Sequence, residues 1–255
     1  MTATTTPSTT HVLLIPSYNT GERLAQTVRD ALAQWRPVWV VIDGSTDGSA
    51  EAVKALAQTE PGLRVIELPS NCGKGAAVLH GMECAQAEGF THALTMDADG
   101  QHPANLISRF MQASIDAPAC VVLGKPVFDA SAPLLRVRGR RISNWWANVE
   151  TLGAGIGDSL FGFRVYPLAA SVRIMRSTRW MRRFDFDPEL AVRLCWAGVR
   201  PLNLDAPVRY FSAEEGGVSH FNYLRDNTLL TGMHIRLVFG FVLRLPVLIW
   251  RRLMR

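Results

Sequence analysis

The stretch T-H-A-L-T-M-D-A-D-G-Q-H-P, residues 91–103, joins a short apolar strand to an acidic turn. Asp97 and Asp99 stand two residues apart, and side chains at i and i+2 of extended backbone point the same way. Two such carboxylates repel each other unless a cation lies between them. Their hard oxygen atoms on a short, open loop suit Mg²⁺ or Mn²⁺. A solvated Asp-Gly turn fits the same residues, so the rest of the chain has to decide.

Around this stretch, short apolar runs alternate with helical patterns. The predicted strands are residues 12–15, 38–42, 63–68, 93–96 and 119–124, and amphipathic or Ala-rich helices separate them. This alternation predicts an α/β fold with a mostly parallel sheet and helices on both of its faces. Ligands bind such sheets outside the carboxyl ends of the strands. The loops 17–21, 43–47 and 97–102 all follow strands, so we expect them to form one polar binding edge.

The composition is that of an ordinary globular protein, with 48% hydrophobic and 19% charged residues. Four scattered cysteines without a C-x-x-C pair favour reduced thiols and a cytosolic setting. The Thr-rich residues 1–10 have no basic and apolar leader pattern and are predicted to be disordered.

The net charge of +5 is concentrated at the C-terminus, because residues 219–255 hold six arginines and one aspartate. Such asymmetry indicates an anionic partner, either a membrane or a nucleic acid. Bulky aliphatic residues interleave with the arginines, which favours lipid over nucleic acid. Arg236 and Arg244 interrupt the apolar runs and Pro246 breaks them, so the sequence predicts an interfacial helix and not a transmembrane span. In this interpretation a stripe of Arg236, Arg244, Arg251 and Arg255 reaches anionic lipids.

Four motifs occur in one order: I-P-S-Y-N, V-I-D-G-S-T-D-G-S, N-C-G-K-G-A-A and M-D-A-D-G-Q-H-P. Together with the later G-F-R-V-Y-P and F-D-F-D-P-E-L, they resemble the inverting family 2 glycosyltransferases with the GT-A fold. The closest branch is the dolichyl- or polyprenyl-phosphate sugar transferases. The resemblance implies a Rossmann-like GT-A domain over residues 11–221, with a nucleotide-sugar half (11–124) and an acceptor half (125–221). Residues 222–255 then form an amphipathic, membrane-associating helical segment.

On the donor side, the resemblance implies a D-x-D pair that holds Mg²⁺ or Mn²⁺ on a nucleotide diphosphate. The implied metal ligands are Asp97, Asp99 and Gln101, with His220 as a further candidate. The implied nucleotide-sugar-binding residues are Pro16, Tyr18, Asp43, Lys74 and Asp97. Ile42 replaces the first aspartate of the family's usual D-D-G-S, so one acceptor for the nucleoside is missing. Lys74 does not belong to a Walker A loop, and a solvated lysine at a helix start is the alternative.

On the acceptor side, the resemblance implies phosphate binding by Arg138, Arg140, Arg141, Ser143 and Arg164. Guanidinium groups suit phosphate oxygens, and a solvated basic face is the alternative. Asp187 matches the family's catalytic acid, which serves hydroxyl acceptors as general base. A phosphate acceptor is already ionised, in which case Asp187 only orients groups. Asp185 and Glu189 are rivals for the role, and helix-start acids favoured by the dipole are the structural alternative.

The sequence therefore predicts a metal-dependent inverting glycosyltransferase, peripheral on the cytoplasmic face of the inner membrane. It would move a sugar from a nucleotide-diphosphate donor to a lipid-linked, polyprenyl-phosphate-like acceptor. Two alternatives stay open: a hydroxyl acceptor on another lipid-like molecule, and a catalytically idle GT-A domain that serves as a membrane-surface adaptor. A sugar-1-phosphate nucleotidyltransferase would need a Gly-rich, basic signature after the first strand, which residues 17–21 lack. No nucleic acid is expected, and the sequence does not address the oligomeric state.

Overall fold

A computed structural model describes residues 6–128, 134–208 and 223–254, which form seven strands, eight α-helices and a short 3₁₀ turn. The strands are β1 (His11–Ser17), β2 (Val38–Asp43), β3 (Leu63–Leu68), β4 (His92–Thr95), β5 (Cys120–Val127), β6 (Arg164–Pro167) and β7 (Arg200–Pro207). The helices are α1 (Arg23–Leu32), α2 (Ser49–Ala57), α3 (Lys74–Ala87), α4 (Ile107–Asp116), α5 (Leu134–Val149), α6 (Leu168–Arg176), α7 (Phe186–Trp196) and α8 (Tyr223–Leu253).

All seven strands belong to one sheet, in the order β3-β2-β1-β4-β6-β5-β7. Every neighbouring pair is parallel except those of β6, which runs antiparallel to both β4 and β5. The prediction of a mostly parallel α/β sheet is confirmed. The antiparallel strand was not predicted, because its four residues carry no alternating pattern long enough to reveal a strand direction.

Helices cover both faces of the sheet. On one face Leu13 and Ile15 pack with α1, α2 and α4, and on the other Val12 and Leu14 pack with α3, α6, α7 and part of α8. Alternate residues of β1 thus serve two cores, and all seven of its residues are buried. This double burial explains why the strands read as continuous apolar runs.

Two helix starts depend on a glycine and a proline. Gly48 is the residue before α2, and its φ of 79° lies in the left-handed region that glycine adopts freely. Pro103 precedes a 3₁₀ turn at Ala104–Leu106, which leads into α4. Both starts lie at the carboxyl edge of the sheet.

The C-terminal helix α8 packs on the body of the protein through an apolar stripe. Met233 and Leu237 are fully buried and Leu248 is nearly so. Its arginines also turn inward: Arg236 Nη2 lies 2.9 Å from Glu189 Oε2, and Arg251 Nη1 donates to Trp196 O at 2.6 Å. The prediction that the arginine stripe reaches lipid does not fit these two residues, because each guanidinium pairs with a carboxylate or carbonyl oxygen of the protein body. Arg255 lies outside the described residues.

The exposed surface of α8 carries large apolar side chains beside Arg225, Arg244 and Arg252. The apolar ones include Ile235, Phe239, Val242, Leu243, Val247, Trp250 and Leu253. By length and composition alone, Leu224–Leu253 is also sufficient to cross a membrane, with a mean hydropathy of 1.6 and 11% of the most apolar window buried. Arg236 and Arg244 divide the apolar runs, but averaged over an 18-residue window the apolar side chains still dominate the hydropathy.

We expect two leucines of α8 to differ sharply in their contribution to stability. Leu237→Ala removes a fully buried side chain and should lower the free energy of unfolding by about 2–5 kcal/mol. Leu243→Ala changes a side chain that is 80% exposed and should shift it by less than about 0.5 kcal/mol. Urea unfolding of both full-length variants in mild detergent measures the difference. Equal losses would contradict the docking of α8 on the body.

Candidate active site

The loops that follow β1 and β2 are tied together by hydrogen bonds. Asn19 N–H donates to Ser45 Oγ at 3.0 Å, and Thr46 N–H donates back to Asn19 Oδ1 at 2.8 Å. Gly21 N–H donates to Asp47 Oδ2 at 2.8 Å. Tyr18 lies half-buried in this pair of loops, and Pro16 is buried in β1 just before it. The two loops therefore behave as one rim of the carboxyl edge.

Asp43, at the end of β2, fixes the approach to α3. Its carboxylate accepts hydrogen bonds from Cys72 N–H at 2.7 Å and from Gly73 N–H at 2.8 Å. The side chain is almost completely buried. In this structure Asp43 therefore orients the N-C-G-K-G segment and places Lys74 at the first position of α3.

Lys74 lies between carboxylates from the two halves of the sheet edge. Its Nζ is 2.6 Å from Asp97 Oδ1 and 3.2 Å from Asp187 Oδ2. Burial alone would lower the pKa of Lys74, but Asp187 and Asp97 outweigh that effect and raise it above its usual value. The ammonium group is therefore charged, and it joins the D-x-D turn to the first turn of α7.

The two aspartates of the D-x-D turn have different electrostatic environments. Burial would raise the pKa of Asp97, but the Lys74 ammonium lowers it to about 2, with a contribution from Arg140. Burial and the neighbouring Asp97 carboxylate raise the pKa of Asp99 to about 6. Asp99 Oδ1 accepts a hydrogen bond from Gln101 N–H at 3.0 Å, which closes the turn. Added positive charge would therefore favour ionised Asp99.

His102 holds the backbone and side chain of Asp97 in the D-x-D turn. Its Nδ1 accepts a hydrogen bond from Asp97 N–H at 3.0 Å, and its Nε2 lies 3.6 Å from Asp97 Oδ2. The ring packs edge-on against Phe161, with ring centroids 4.7 Å apart. Burial lowers the pKa of His102 to about 4. The ring is thus neutral near pH 7, with its proton on Nε2.

Asp187 is held from several directions in the first turn of α7. Tyr166 Oη donates to Asp187 Oδ1 at 3.2 Å, and Arg164 Nη1 donates to the backbone oxygen of Asp187 at 2.5 Å. Burial raises the pKa of Tyr166, which keeps its hydroxyl protonated as a donor. The position of Asp187 is therefore set by β6, whose residues supply both contacts.

Gly162 leaves the space in which these groups meet. A Cβ atom at this position would lie 2.9 Å from Lys74 Nζ, 3.3 Å from Asp97 Oδ1 and 3.5 Å from Asp187 Oδ2. Thr95 Oγ1 donates to Gly162 O at 2.8 Å and anchors the backbone to β4. A side chain here would enter the cluster of charges.

The arginines of α5 do not share one environment. Arg140 Nη1 lies 2.8 Å from the buried Asp158 Oδ1, whereas Arg138 and Arg141 are exposed. Ser143 is buried, and its Oγ is 3.0 Å from Ser159 Oγ and 3.1 Å from His234 Nε2. Of the three arginines, Arg140 is the one whose charge lowers the pKa of Asp97.

Arg164 does not lie where an acceptor phosphate could reach it. The residue is fully buried, and its guanidinium donates to Phe161 O, Tyr166 Oη, Asp187 O and Asp158 O. The predicted role as a phosphate ligand does not fit this placement, because protein oxygens take up its donors. Its observed role is to position Asp187.

The structure brings together four of the residues singled out from the sequence, namely Lys74, Asp97, Asp99 and Asp187. Asp185 and Glu189, the rivals of Asp187, bond to the backbone of residues 181–183 and to arginines instead. His220 lies outside the described residues.

Sequence reasoning gave no role to several residues that shape the site, namely His102, Asp158, Gly162 and Tyr166. Three of them stand inside motifs quoted above: His102 in D-G-Q-H-P, Gly162 in G-F-R, and Tyr166 in R-V-Y-P. The only indication in the sequence that these residues belong to the site was that they stand beside polar residues of the same motifs. The motif letters alone do not say which residue faces the charges and which supports them.

Comparison with known proteins gives a consistent family assignment. Residues 12–175 match the profile of Glycosyl transferase family 2. Polyprenol monophosphomannose synthase of Mycolicibacterium smegmatis is 30% identical over 233 residues, covering 85% of this chain and 83% of that protein. Undecaprenyl-phosphate mannosyltransferase of Micrococcus luteus is 25% identical over 209 residues, covering 80% and 84%.

Solved structures agree at the level of the fold. Mannosyltransferase PcManGT from Pyrobaculum calidifontis, in complex with GDP-Man and Mn²⁺, superposes with a TM-score of 0.56 at 18% identity. The match covers 80% of this chain and 57% of that one. The fold, the matched profile and the similarity to these relatives agree, and the chain belongs to glycosyl transferase family 2.

Proposed function

We propose that this enzyme transfers a sugar, with inversion, from a nucleotide-diphosphate sugar to a lipid-linked phosphate acceptor at a membrane surface. One observation carries the proposal: the Lys74 ammonium joins Asp97, on the donor side of the sheet edge, to Asp187, on the acceptor side. The printed names of the two relatives above, a polyprenol monophosphomannose synthase and an undecaprenyl-phosphate mannosyltransferase, support a polyprenyl-phosphate acceptor.

The donor-side residues fit a divalent cation shared with the donor. Among residues 6–128, 134–208 and 223–254, no three His, Cys, Asp or Glu side chains could hold a metal ion by themselves. Asp97 and Asp99 would hold Mg²⁺ or Mn²⁺ together with donor phosphate oxygens and water, which is the usual arrangement for Mg²⁺ in phosphate sites. When bound, the cation would supply positive charge to the departing diphosphate. Gln101, next in the same turn, is a further candidate ligand.

The remaining donor-side residues shape the nucleotide site in this proposal. Tyr18 and Pro16 belong to the rim that would receive the nucleoside. Asp43 acts through the backbone of residues 72–73, which it orients. In this proposal Lys74 contacts donor phosphate, which its position beside Asp97 supports.

On the acceptor side, an ionised phosphate oxygen would attack the anomeric carbon opposite the leaving nucleotide diphosphate. The new bond from carbon to acceptor oxygen forms as the bond to the diphosphate oxygen breaks, which inverts the configuration. Both carboxylate oxygens of Asp187 already accept hydrogen bonds, so gaining a proton would disrupt one of them. An acceptor that arrives ionised does not require that proton transfer, and Asp187 then orients Lys74.

Arg140 is the α5 residue best placed for an acceptor phosphate. It is partly exposed, it is held by Asp158, and its charge acts on Asp97. Arg138 and Arg141 extend the positive surface along the exposed side of the same helix. Ser143 is buried against Ser159 and His234, which suits a role in holding α5.

In the proposal, α8 lies along the membrane with its outer apolar face in the lipid interface. Its opposite face packs on the body of the enzyme, so the helix would remain at the surface. A cytoplasmic location follows from the expected supply of nucleotide sugars and belongs to the same proposal.

Asp99→Asn tests the donor side. We expect loss of metal-dependent donor binding by at least about tenfold, because one of the two carboxylates that would neutralise the cation is removed. Titration calorimetry with a panel of nucleotide sugars and Mn²⁺ measures binding, and Asp116→Asn, an exposed acid on α4, is the control. Turnover that persists in the presence of a chelator would contradict the metal role.

Lys74→Met tests the link between the two sides. It leaves the buried Asp187 and the partly exposed Asp97 without their shared cation, so we expect stability to fall by up to about 3–5 kcal/mol and transfer to be lost. Lys54→Met is the matched control, because Lys54 pairs with Glu51 and Glu67 at the surface and such pairs contribute at most about 1 kcal/mol. Urea unfolding and product formation are the measurements. Equal effects of the two changes would refute the bridging role.

The double variant Phe239→Ser/Leu243→Ser tests the membrane-facing side of α8. These side chains are 71% and 80% exposed. Replacing each apolar side chain by Ser should weaken the free energy of membrane binding by about 1.5–3 kcal/mol. Liposome flotation measures this binding. Ile115→Ser, an exposed apolar residue on α4, should float like the unmodified enzyme. Unchanged flotation of the double variant would reject this surface.

A further inference from the structure

Asp187 lies in a segment that is held from outside by the C-terminal helix. The loop between α6 and α7 covers residues 177–185, and the first turn of α7 follows it directly. Arg236 of α8 contacts this segment at three points. Its Cζ lies 4.1 Å from the ring centroid of Trp180, and its Nη2 lies 3.7 Å from Asp185 Oδ2 and 2.9 Å from Glu189 Oε2.

The carboxylates that Arg236 contacts are buried and have structural tasks. Glu189 is fully buried and is also bound by Arg193, with Arg193 Nη2 2.7 Å from Glu189 Oε1. Asp185 accepts hydrogen bonds from Met181 N–H at 3.2 Å and from Arg183 N–H at 3.1 Å. A buried carboxylate that loses a partner is destabilised by the missing counter-charge. Arg236 therefore stabilises the conformation in which residues 181–189 are observed.

This conformation is one that the chain would not adopt without support. Met181 has a φ of 62°, in the left-handed region that side chains other than glycine rarely occupy. Such residues persist where the surrounding contacts over-determine them. Met181 is fully buried, its N–H donates to Asp185, and Arg236 contacts Trp180 before it and Asp185 after it.

The same segment also positions Lys74. Arg182 O accepts a hydrogen bond from Ala76 N–H at 3.1 Å. A Cβ atom at Gly73 would lie 2.4 Å from Arg182 O, and one at Gly75 would lie 2.4 Å from Met181 O. The start of α3 is thus packed directly against the loop that Arg236 holds. Movement of this loop would displace both ends of the ion pair between Lys74 and Asp187.

We propose that Arg236 is a positioning residue, which acts from α8 to hold residues 180–189 and thereby aligns Asp187 with Lys74. This inference rests on the proposed function for the role of Asp187. It also makes α8 a part of the framework of the site: the helix that exposes large apolar side chains holds, on its inner face, the turn that carries Asp187.

The test compares Arg236→Met and Arg236→Lys with Arg244→Met and Arg244→Lys in the full-length enzyme. Arg244 is the matched control because it lies on the same helix and its replacement by Met removes the same charge. Among the described contacts, Arg244 meets only the Trp196 ring at 4.8 Å and Gly240 O at 3.0 Å. Two readouts are needed: hydrogen exchange of the peptide covering residues 181–192, and kcat and KM for donor and acceptor measured on folded enzyme.

For Arg236→Met we expect faster exchange in this peptide and a fall in kcat of about tenfold to a hundredfold, since small misplacements of catalytic groups have effects of this size. The KM for the donor should change little. Arg236→Lys should be intermediate, because an ammonium group cannot contact all three partners as a planar guanidinium does. Both Arg244 variants should match the unmodified enzyme.

A purely structural role would lower the melting temperature of Arg236→Met and leave kcat per folded enzyme and the exchange of residues 181–192 unchanged, which would overturn the proposal. If Arg236→Met does not fold, Arg236→Lys against Arg244→Lys decides, and equal kcat and exchange would again overturn it. Failure of the proposed function is a separate result: the unmodified enzyme would transfer no sugar to polyprenyl phosphates. The exchange comparison would then still show whether Arg236 holds the segment.

Discussion

The ion pair that Lys74 makes with Asp97 and Asp187 is the interaction on which the arrangement of the site depends. A lysine buried between two carboxylates is stable only if all three groups are placed accurately, because each would be costly to bury alone. Each group comes from a different part of the chain: the start of α3, the turn after β4 and the first turn of α7. The contacts around Lys74, Asp97 and Asp187 hold these three residues in position relative to one another. Asp43 fixes the start of α3, His102 fixes the turn, and Arg164 with Tyr166 fixes α7.

This arrangement explains why an antiparallel strand stands in the middle of a parallel sheet. Strand β6 carries Arg164 and Tyr166, and Gly162 immediately precedes it. Because β6 runs opposite to β4, its beginning lies at the edge where β4 ends, with Thr95 paired to Arg164. The antiparallel direction of β6 therefore places Arg164, which holds Asp187, close to the D-x-D turn. A parallel strand at the same place would carry them to the opposite edge of the sheet.

Much of the fold could be predicted from the sequence, because buried parallel strands leave continuous apolar runs such as V-L-L-I and V-W-V-V-I. The motifs also identified Asp97, Asp99, Lys74 and Asp187 before their proximity was visible. What the sequence could not supply is the direction in which a side chain faces. Arg164 looks like a phosphate ligand in G-F-R but is fully buried. Helical periodicity predicts a stripe of arginines along α8, yet which side of a helix docks on the body depends on tertiary contacts with Glu189 and Trp196 that are distant in sequence.

The inward orientation of Arg236 and Arg251 has a consequence for how this enzyme would recognise a bilayer. All five arginines of the helix have partners within the protein: Arg225 with Asp226, Arg236 with Glu189, Arg244 with Trp196, Arg251 with Trp196 O, and Arg252 with Leu152 O. Attraction between basic side chains and anionic headgroups is what makes many peripheral proteins selective for lipid charge and sensitive to ionic strength. A helix that turns Arg236 and Arg251 toward its own protein and exposes large aliphatic and aromatic side chains would depend less on lipid charge than its composition predicts. Its choice of membrane would then also reflect how loosely the lipids are packed.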